Sequence, residues 1–162
     1  MGAGKEQQKI VPLVECFIRR NDEVLVFHRS PSRKHFPDWI AGVAGKIEFG
    51  ERVDEACLRE IREETGLEIE NLRLRAIVSE ILPKVELLIF IFVAEYKSGD
   101  IKESAEGKPL WIKIDELKML KLAPYLKVVL PQILAKDYEG VTFYKFIIDA
   151  HNDIISYSSS RQ

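Results

Sequence analysis

Three glutamates and an arginine lie close together in this sequence, at Arg59, Glu60, Glu63 and Glu64. Residues three and four apart share one face of a helix, so on a helix the three carboxylates stand side by side. Like charges at these spacings repel by a few tenths of a kcal/mol per pair in an isolated helix, and a divalent cation offsets that repulsion. Clustered carboxylate oxygens suit Mg²⁺ or Mn²⁺ better than zinc. The segment therefore predicts a metal site; the alternative is a solvated, charge-rich helix face.

Arg59 has two candidate partners. It can pair with Glu63, one turn further along the same helix, or reach back to Glu51 and hold the preceding loop against the helix. We expect it also to orient the carboxylate of Glu60. Metal ions held by carboxylates of this kind can stabilise negative charge that develops on oxygen atoms, while one carboxylate accepts a proton from an attacking water molecule.

A helix is predicted to present these side chains from about Val53 to Glu64. Val53, Cys57 and Ile61 are apolar and recur at every fourth position, and two acidic residues occupy the first turn, where the helix dipole favours them. Gly66 follows as a C-cap. This pattern indicates a helix with one face in the core and the charged residues beside it.

Strand-like segments surround this helix. The predicted strands are Ile10–Ile18 and Val24–His28, joined by a turn at Asn21-Asp22, the extended stretch Trp39–Ile47, then Leu72–Leu82, Val85–Tyr96, Leu110–Ile114, Val141–Ile148 and Ile154–Tyr157. A second helix is predicted over Ala123–Lys136, with Pro131 inside it as a kink or an early stop. The order of strands and helices favours an α/β sandwich around a mixed sheet.

Composition limits the class of protein. The chain has 162 residues, 46% of them hydrophobic, which predicts one domain over residues 1–162 with a polar tail at 1–9. A net charge of -2 gives no basic excess, so a polynucleotide partner is not expected. The start of the chain lacks a signal-peptide pattern, and the apolar run Leu87–Ala94 is far below the ~20 residues of a membrane span, so no membrane partner is expected. Cys16 and Cys57 lie in apolar patterns, which predicts buried thiols in a cytoplasmic protein.

The charged segment belongs to a longer motif. Gly45 is followed after five residues by Glu51, and after seven more by the run from Arg59 to Leu67 that reads Arg-Glu-Ile-x-Glu-Glu-x-Gly-Leu. Every fixed position of the Nudix box is filled, and the chain is identified on this motif as a member of the Nudix hydrolases. Further features resemble small MutT-like members between about Ile10 and Leu134: Trp39 before the glycine turn, a glutamate-bearing loop ahead of Pro109-Leu110-Trp111, and Asp115-Glu116-Leu117. Two positions depart from the family pattern, Ala44 for a common glycine and Phe49 for a frequent proline.

This resemblance implies a Nudix-type α/β/α sandwich in which the box forms a loop, a helix and a loop. The implied activity is hydrolysis of the diphosphate linkage in a nucleoside diphosphate attached to another moiety, with Mg²⁺ or Mn²⁺ as cofactor. Glu60 and Glu64 are assigned as the main metal ligands and Glu63 as a further or water-mediated ligand. The carbonyl of Ala44 is implied as another metal contact, and Gly45 keeps that backbone approachable.

The general base is predicted to be either a glutamate of the box or a glutamate outside it. Members of the family use either a box glutamate or a glutamate on a distant loop. Glu106, five residues before Trp111, stands where such a loop glutamate would be, and Glu103 is its neighbour and competitor. We predict that Glu106 is a metal ligand or the base; the alternative is an ordinary exposed loop residue.

Residues outside the box suggest how a nucleotide binds. Arg29, Arg33 and Lys34 are candidates for phosphate contacts, with ordinary surface charge as the alternative. Trp39 is a candidate for stacking on a base. Further candidates for contacts with the base are Phe27, Phe36, His28 and His35. The alternative is that they occupy ordinary positions in the core, a strand or a loop.

Three functions remain open. The leading prediction is a MutT-like enzyme that converts a nucleoside triphosphate, such as an oxidised purine dNTP, to the monophosphate. Acidic residues that read the base in some such enzymes are replaced here by the run from Leu122 to Tyr125. Pro83, sixteen residues beyond Leu67, is typical of members that cleave ADP-ribose, so ADP-ribose or a dinucleotide is the alternative. A non-catalytic ligand-binding module is the third, and a homodimer is compatible with each.

Overall fold

The structure is a computed structural model that describes residues 9–32, 37–105 and 107–162. The strands are β1 (Lys9–Arg20), β2 (Glu23–Arg29), β3 (Ile40–Ala41), β4 (Val43–Lys46), β5 (Glu68–Ile81), β6 (Val85–Ser98), β7 (Gly107–Lys113), β8 (Thr142–Ile148) and β9 (Ile154–Arg161). The helices are α1 (Val53–Thr65) and α2 (Pro124–Ile133), with a 3-10 helix at Ile114–Met119.

The strands form one mixed sheet. Its main path runs β3-β2-β1-β6-β5-β8-β9, while β4 pairs with β1 and β7 pairs with β2. β1 lies parallel to β6, and β5 lies parallel to β8, whereas β5 and β6 form an antiparallel pair. Parallel neighbours need a crossover connection, and α1 lies in the chain between β1 and β6 while α2 lies between β5 and β8. The mixed sheet expected from the sequence is confirmed.

The two helices cover opposite faces of this sheet. Alternate residues of β1 point to opposite sides, so Val14 and Cys16 pack with Ile61 of α1, whereas Phe17 packs with Leu126 of α2. Each face therefore has its own apolar core, and the predicted α/β/α sandwich is confirmed. The sheet therefore lies between the two helices.

Several element boundaries differ from the expectations. α2 ends at Ile133 rather than at residue 136, and Pro131 lies inside it, two residues before its end. β9 continues to Arg161, beyond the predicted end at residue 157, because pairing with β8 holds a serine-rich segment that has no apolar pattern of its own. β5 begins at Glu68, four residues early. Lys9 is the first residue of β1, so the predicted tail is one residue too long; residues 1–8 lie outside the described part of the chain.

The structure also bears on the predicted burial of the two cysteines and on the expected absence of a membrane span. Cys16 and Cys57 are both buried free thiols, as expected, and burial is the largest cause that raises the pKa of Cys16. Across the described ranges, no helix has the length and apolar character needed to cross a membrane.

Candidate active site

Arg59 is the centre of a charged network that joins the box loop to α1. Its Nε and Nη2 donate hydrogen bonds of 2.8 and 3.0 Å to the two carboxylate oxygens of Glu51. Its Nη1 donates a 2.6 Å bond to Glu60 and lies 3.5 Å from Glu63. Both partners considered from the sequence are therefore contacted, and the two-pronged bond to Glu51 is the stronger geometry. Nη2 also donates to the carbonyl of Lys46 at 3.0 Å, which fixes the end of β4.

Glu51 links the loop before α1 to the helix through its carboxylate. Besides Arg59, it accepts a 3.0 Å hydrogen bond from the backbone N–H of Glu48. The hydrogen bond from Arg59 is the largest cause that lowers the pKa of Glu51, so this side chain stays ionised. Gly66 ends the helix in the left-handed conformation, with φ of 69° and its N–H bonded to the carbonyl of Arg62, which confirms the predicted C-cap.

Gly45 allows the carboxylate of Glu60 to lie directly against β4. A Cβ built at Gly45 would stand 2.0 Å from both Cδ and Oε1 of Glu60. The backbone of Gly45 is itself held by pairing with β1, where Val14 is its partner. The group that lies against Gly45 is therefore a box side chain, and the expected approach of a metal to the neighbouring backbone stays a prediction.

Two of the three box glutamates face a common cleft. Glu64 is 6% exposed, the Glu60 side chain is 12% exposed, and both line the cleft together with Ala44. Burial raises the pKa of Glu60, and the hydrogen bond from Arg59 opposes this effect. Glu63 differs, because its side chain is 60% exposed and it is not among the described residues that line the cleft.

The cleft has the size of a small-molecule site. Its volume is about 790 Å³, within the ~300–1,000 Å³ of ligand pockets. From the box end it extends along the α2 face of the sheet over Leu13 and Ile89, and Tyr125 of α2 forms part of its wall. Arg29, predicted to contact phosphate, also lines it, and its buried Nε has no hydrogen-bond acceptor among the described residues. Such a donor suits an anionic ligand.

Two acidic residues in the cleft escaped the sequence analysis. Glu15 of β1 is fully buried and accepts hydrogen bonds from the backbone N–H of Gly42 at 2.8 Å and from the hydroxyl of Tyr125 at 2.7 Å. Glu80 of β5 is also fully buried, and burial raises its pKa to about 8. The alternation of side chains along a strand could have indicated them. Residues two apart on a strand face the same side, and Phe17 and Val78, two residues from Glu15 and Glu80, face the core.

Trp39 and Phe27 are not placed in the cleft. Trp39 packs beside the core on the α2 side, with the ammonium of Lys121 5.0 Å from its ring centre, and it is not among the described residues that line the cleft. Its expected stacking on a base therefore has no support from this geometry. Phe27 is buried on the α1 side of the sheet, which confirms the core alternative. His28 is exposed, 3.7 Å from Asp38.

Five further residues that the sequence suggested for the site are not described by the structure. Glu106, Arg33, Lys34, His35 and Phe36 lie outside the described residues. Glu103, the competitor of Glu106, is an exposed residue of the connection between β6 and β7. The choice of general base therefore stays a prediction.

The donor atoms at the box end fit a hard divalent cation. Over residues 9–32, 37–105 and 107–162, no three His, Cys, Asp or Glu side chains already stand together as a complete metal-binding group. Mg²⁺, however, is commonly bound through one or two carboxylates, with waters and substrate phosphates as its other ligands. Glu60, Glu64 and the backbone of Ala44 supply oxygen donors of that kind around one cleft.

Comparisons with known proteins agree with this geometry. The family model described as the NUDIX domain matches residues 10–133, which is most of the chain. The chain belongs to the Nudix hydrolase family. Nudix hydrolases generally use divalent metals and act on small nucleotide substrates.

Relatives of this Nudix hydrolase differ in length and in name. It is 33% identical over 118 residues to the uncharacterized Nudix hydrolase YvcI of Bacillus subtilis, covering 69% of this chain and 72% of that protein. It is 34% identical over 116 residues to the NAD-capped RNA hydrolase NudC of Escherichia coli, covering 69% of this chain but only 42% of NudC. A crystal structure of the MutT protein from Bacillus halodurans superposes with a TM-score of 0.80 at 28% identity, covering 93% of this chain and 97% of that one.

Proposed function

We propose that this Nudix hydrolase is a Mg²⁺-dependent pyrophosphohydrolase of the MutT type, which converts a nucleoside triphosphate, including an oxidised purine dNTP, to its monophosphate. The observation that carries this proposal is the placement of Glu60 and Glu64 in one cleft, with Arg59 bonded to both Glu60 and Glu51. The similarity to the MutT protein of Bacillus halodurans over nearly the whole of both chains supports the choice of a nucleoside triphosphate.

Glu60, Glu64 and the carbonyl of Ala44 are proposed to hold the metal, with Glu63 as a further or water-mediated contact. When bound, Mg²⁺ or Mn²⁺ would stabilise the negative charge on the phosphate oxygens and favour ionisation of a water molecule. The fit rests on the two carboxylates that line the cleft, since Glu63 is mostly exposed.

The chain's own residues prepare this site before any ligand binds. Arg59 fixes the orientation of Glu60 through the 2.6 Å hydrogen bond, and its bonds to Glu51 hold the loop in place. Positions fixed in this way lower the reorganisation that the reaction requires. Arg29 is proposed to bind a phosphate through its guanidinium, whose buried Nε lacks an acceptor among the described residues.

Glu106, which precedes β7 in the sequence, is proposed as a metal ligand or the general base, with a box glutamate as the alternative. A Glu106→Gln variant separates the two roles. In the wild type, protonation of the general base lowers kcat at low pH. If the variant no longer shows this fall, Glu106 is the base. Weaker binding of Mn²⁺ with the fall retained indicates a ligand.

A dinucleotide is the second candidate substrate. The observation that favours it is the 34% identity to NudC, whose name describes hydrolysis of NAD-capped RNA. The chain spans less than half of the length of NudC, so this activity enters only as a candidate. ADP-ribose, suggested by the position of Pro83, belongs to the same chemical class.

Product analysis tests the proposal. The protein is incubated with Mg²⁺ and, separately, with 8-oxo-dGTP, ordinary nucleoside triphosphates, ADP-ribose, NAD and a NAD-capped RNA, and the same reactions with EDTA serve as controls. We expect a nucleoside triphosphate to yield the monophosphate and pyrophosphate only with the metal. Turnover confined to ADP-ribose, NAD or capped RNA would replace the leading proposal with the second one. Absence of turnover in every reaction would favour the non-catalytic binding module.

A further inference from the structure

The buried carboxyl of Glu80 makes no hydrogen bond to the described residues. Its residue is 0% exposed, and neither carboxylate oxygen has a hydrogen-bond partner among the described residues. A buried polar group without a partner destabilises the fold, and nearly all such groups in native proteins are paired. A ligand that supplies hydrogen-bond donors would remove this cost.

Glu80 lines the same cleft as the box glutamates, but at a different part of the sheet. It pairs across the ladder with Leu87 of β6, which in turn pairs with Val11 of β1. Glu15 lies four residues further along β1, beside Ala44 of β4. By strand geometry, two strand spacings of ~4.8 Å and a rise of ~3.3 Å per residue separate Glu80 from Glu15 by about 16 Å between backbones. The two carboxyl groups are closer together than the backbones, because the charge of Glu15 is one of the causes that raise the pKa of Glu80. The cleft that both residues line has a volume of about 790 Å³, which is large enough for a nucleoside.

The surface between these positions suits the flat face of a base. Leu13, Leu87 and Ile89 line the cleft there, and the ring of Tyr125 forms part of the wall. Apolar walls with a few placed polar groups are typical of small-molecule sites. The hydroxyl of Tyr125 already donates to Glu15, whose other oxygen accepts the N–H of Gly42, so those polar atoms are engaged. Glu80 is left as the acceptor pair available to a ligand.

We propose that Glu80 determines the specificity of this enzyme by accepting two hydrogen bonds from the edge of the bound base, and so selects guanine or its oxidised form. This inference rests on the proposed nucleotide substrate. A carboxylate offers only acceptors. Guanine presents adjacent N1–H and N2–H donors on its Watson–Crick edge, whereas adenine and cytosine each place a donor beside an acceptor.

In the free protein, burial keeps the carboxyl of Glu80 mostly protonated near neutral pH, so the proposed role requires that the bound base favour its ionised form. Burial raises the pKa of the carboxyl to about 8, with the nearby charge of Glu15 as the second cause. Hydrogen bonds donated to a carboxylate favour its ionised form and lower its pKa. A base with two donors therefore compensates the burial of the charge, and a base with one donor does so less.

Base selection by a Glu80→Gln variant tests the inference. The glutamine amide replaces one acceptor by a donor at nearly constant volume, so it should disfavour guanine and fit adenine. We expect kcat/KM for dGTP relative to dATP to fall by about 10- to 100-fold, as for the loss of one two-point base contact. Glu70→Gln, on an exposed position of the same strand, is the matched control and should leave the ratio unchanged. Circular dichroism and Tm establish that both variants fold, and Glu80→Leu, which has no hydrogen-bonding side-chain atom, replaces the first variant if it does not.

Binding of monophosphates without metal separates this inference from the proposed function. Calorimetry should show that the wild type binds GMP at least ~10-fold more tightly than AMP, and that Glu80→Gln removes this preference. That result with no triphosphate turnover would refute the proposed activity but support the role of Glu80. Equal binding of GMP and AMP by the wild type, or a preference that survives in Glu80→Gln, would overturn the role of Glu80 even if triphosphates are hydrolysed.

Discussion

Substitution of Gly45 by alanine should disable the site with little loss of folding. The added Cβ would lie 2.0 Å from Cδ and Oε1 of Glu60 and 2.5 Å from Oε2. Ordinary van der Waals contact begins near 3.4 Å, so the carboxylate must move by about 1.4 Å. Its hydrogen bond to Arg59 is 2.6 Å long, and a movement of this size breaks or reorients it. A misplacement of ~1 Å in a catalytic group can cost ~10²-fold in rate.

We therefore expect kcat/KM of Gly45→Ala to fall by about 10²-fold, equivalent to ~2.7 kcal/mol of transition-state stabilisation. The assay follows hydrolysis of the best substrate found in the product analysis, together with Tm. Gly99→Ala is the control, because its φ of 100° strains alanine in a turn that contacts the α1–β5 connection rather than the cleft. It should lower Tm and leave kcat/KM unchanged. A Gly45→Ala variant with wild-type kcat/KM would refute the proposed placement of Glu60.

Three further predictions follow from the pKa shifts and exposures. Glu51→Gln should lower the denaturant midpoint relative to the wild type by more at pH 7 than at pH 3. A carboxylate with a lowered folded pKa stabilises the fold above its unfolded pKa of 4.5 and loses that effect as pH falls through the folded value. An equal difference at both pH values would contradict the Arg59–Glu51 pairing. Arg29→Ala should raise KM about 10-fold, whereas Arg73→Ala, whose side chain is 56% exposed, should leave KM unchanged, and equal KM values would remove Arg29 from the phosphate site. Cys16 and Cys57 should react with a thiol reagent only in denaturant, since both are buried; rapid reaction of the native protein would show that the α1-side core opens.

Local patterns in the sequence account for much of α1 and its ends. The spacing of Cys57 and Ile61 defines the buried face, and the left-handed cap at Gly66 is a property of glycine itself. The spacing of the box also brings Arg59 within reach of Glu51 and Glu60. These features depend on residues close in sequence, which is why the pattern predicts them.

Features that depend on distant pairing were not predictable in the same way. Glu15 and Glu80 meet one cleft only because β6 lies between β1 and β5, and nothing adjacent to either residue signals that arrangement. Trp39 was expected at the ligand site, yet packing beside the α2-side core decides its position. The length of β9 likewise follows from its ladder with β8 rather than from its own serine-rich sequence.

The most direct test of the metal site compares the adjacent glutamates of the box. Glu64 is almost buried in the cleft, whereas the Glu63 side chain is 60% exposed, although the two residues are neighbours of the same type. With Mg²⁺ and the best substrate, Glu64→Gln should lower kcat by at least ~10²-fold, and Glu63→Gln should lower it much less. Titration with Mn²⁺ should show a matching loss of affinity in Glu64→Gln. Wild-type kcat and Mn²⁺ affinity in Glu64→Gln would contradict the proposal that this cleft holds the catalytic metal.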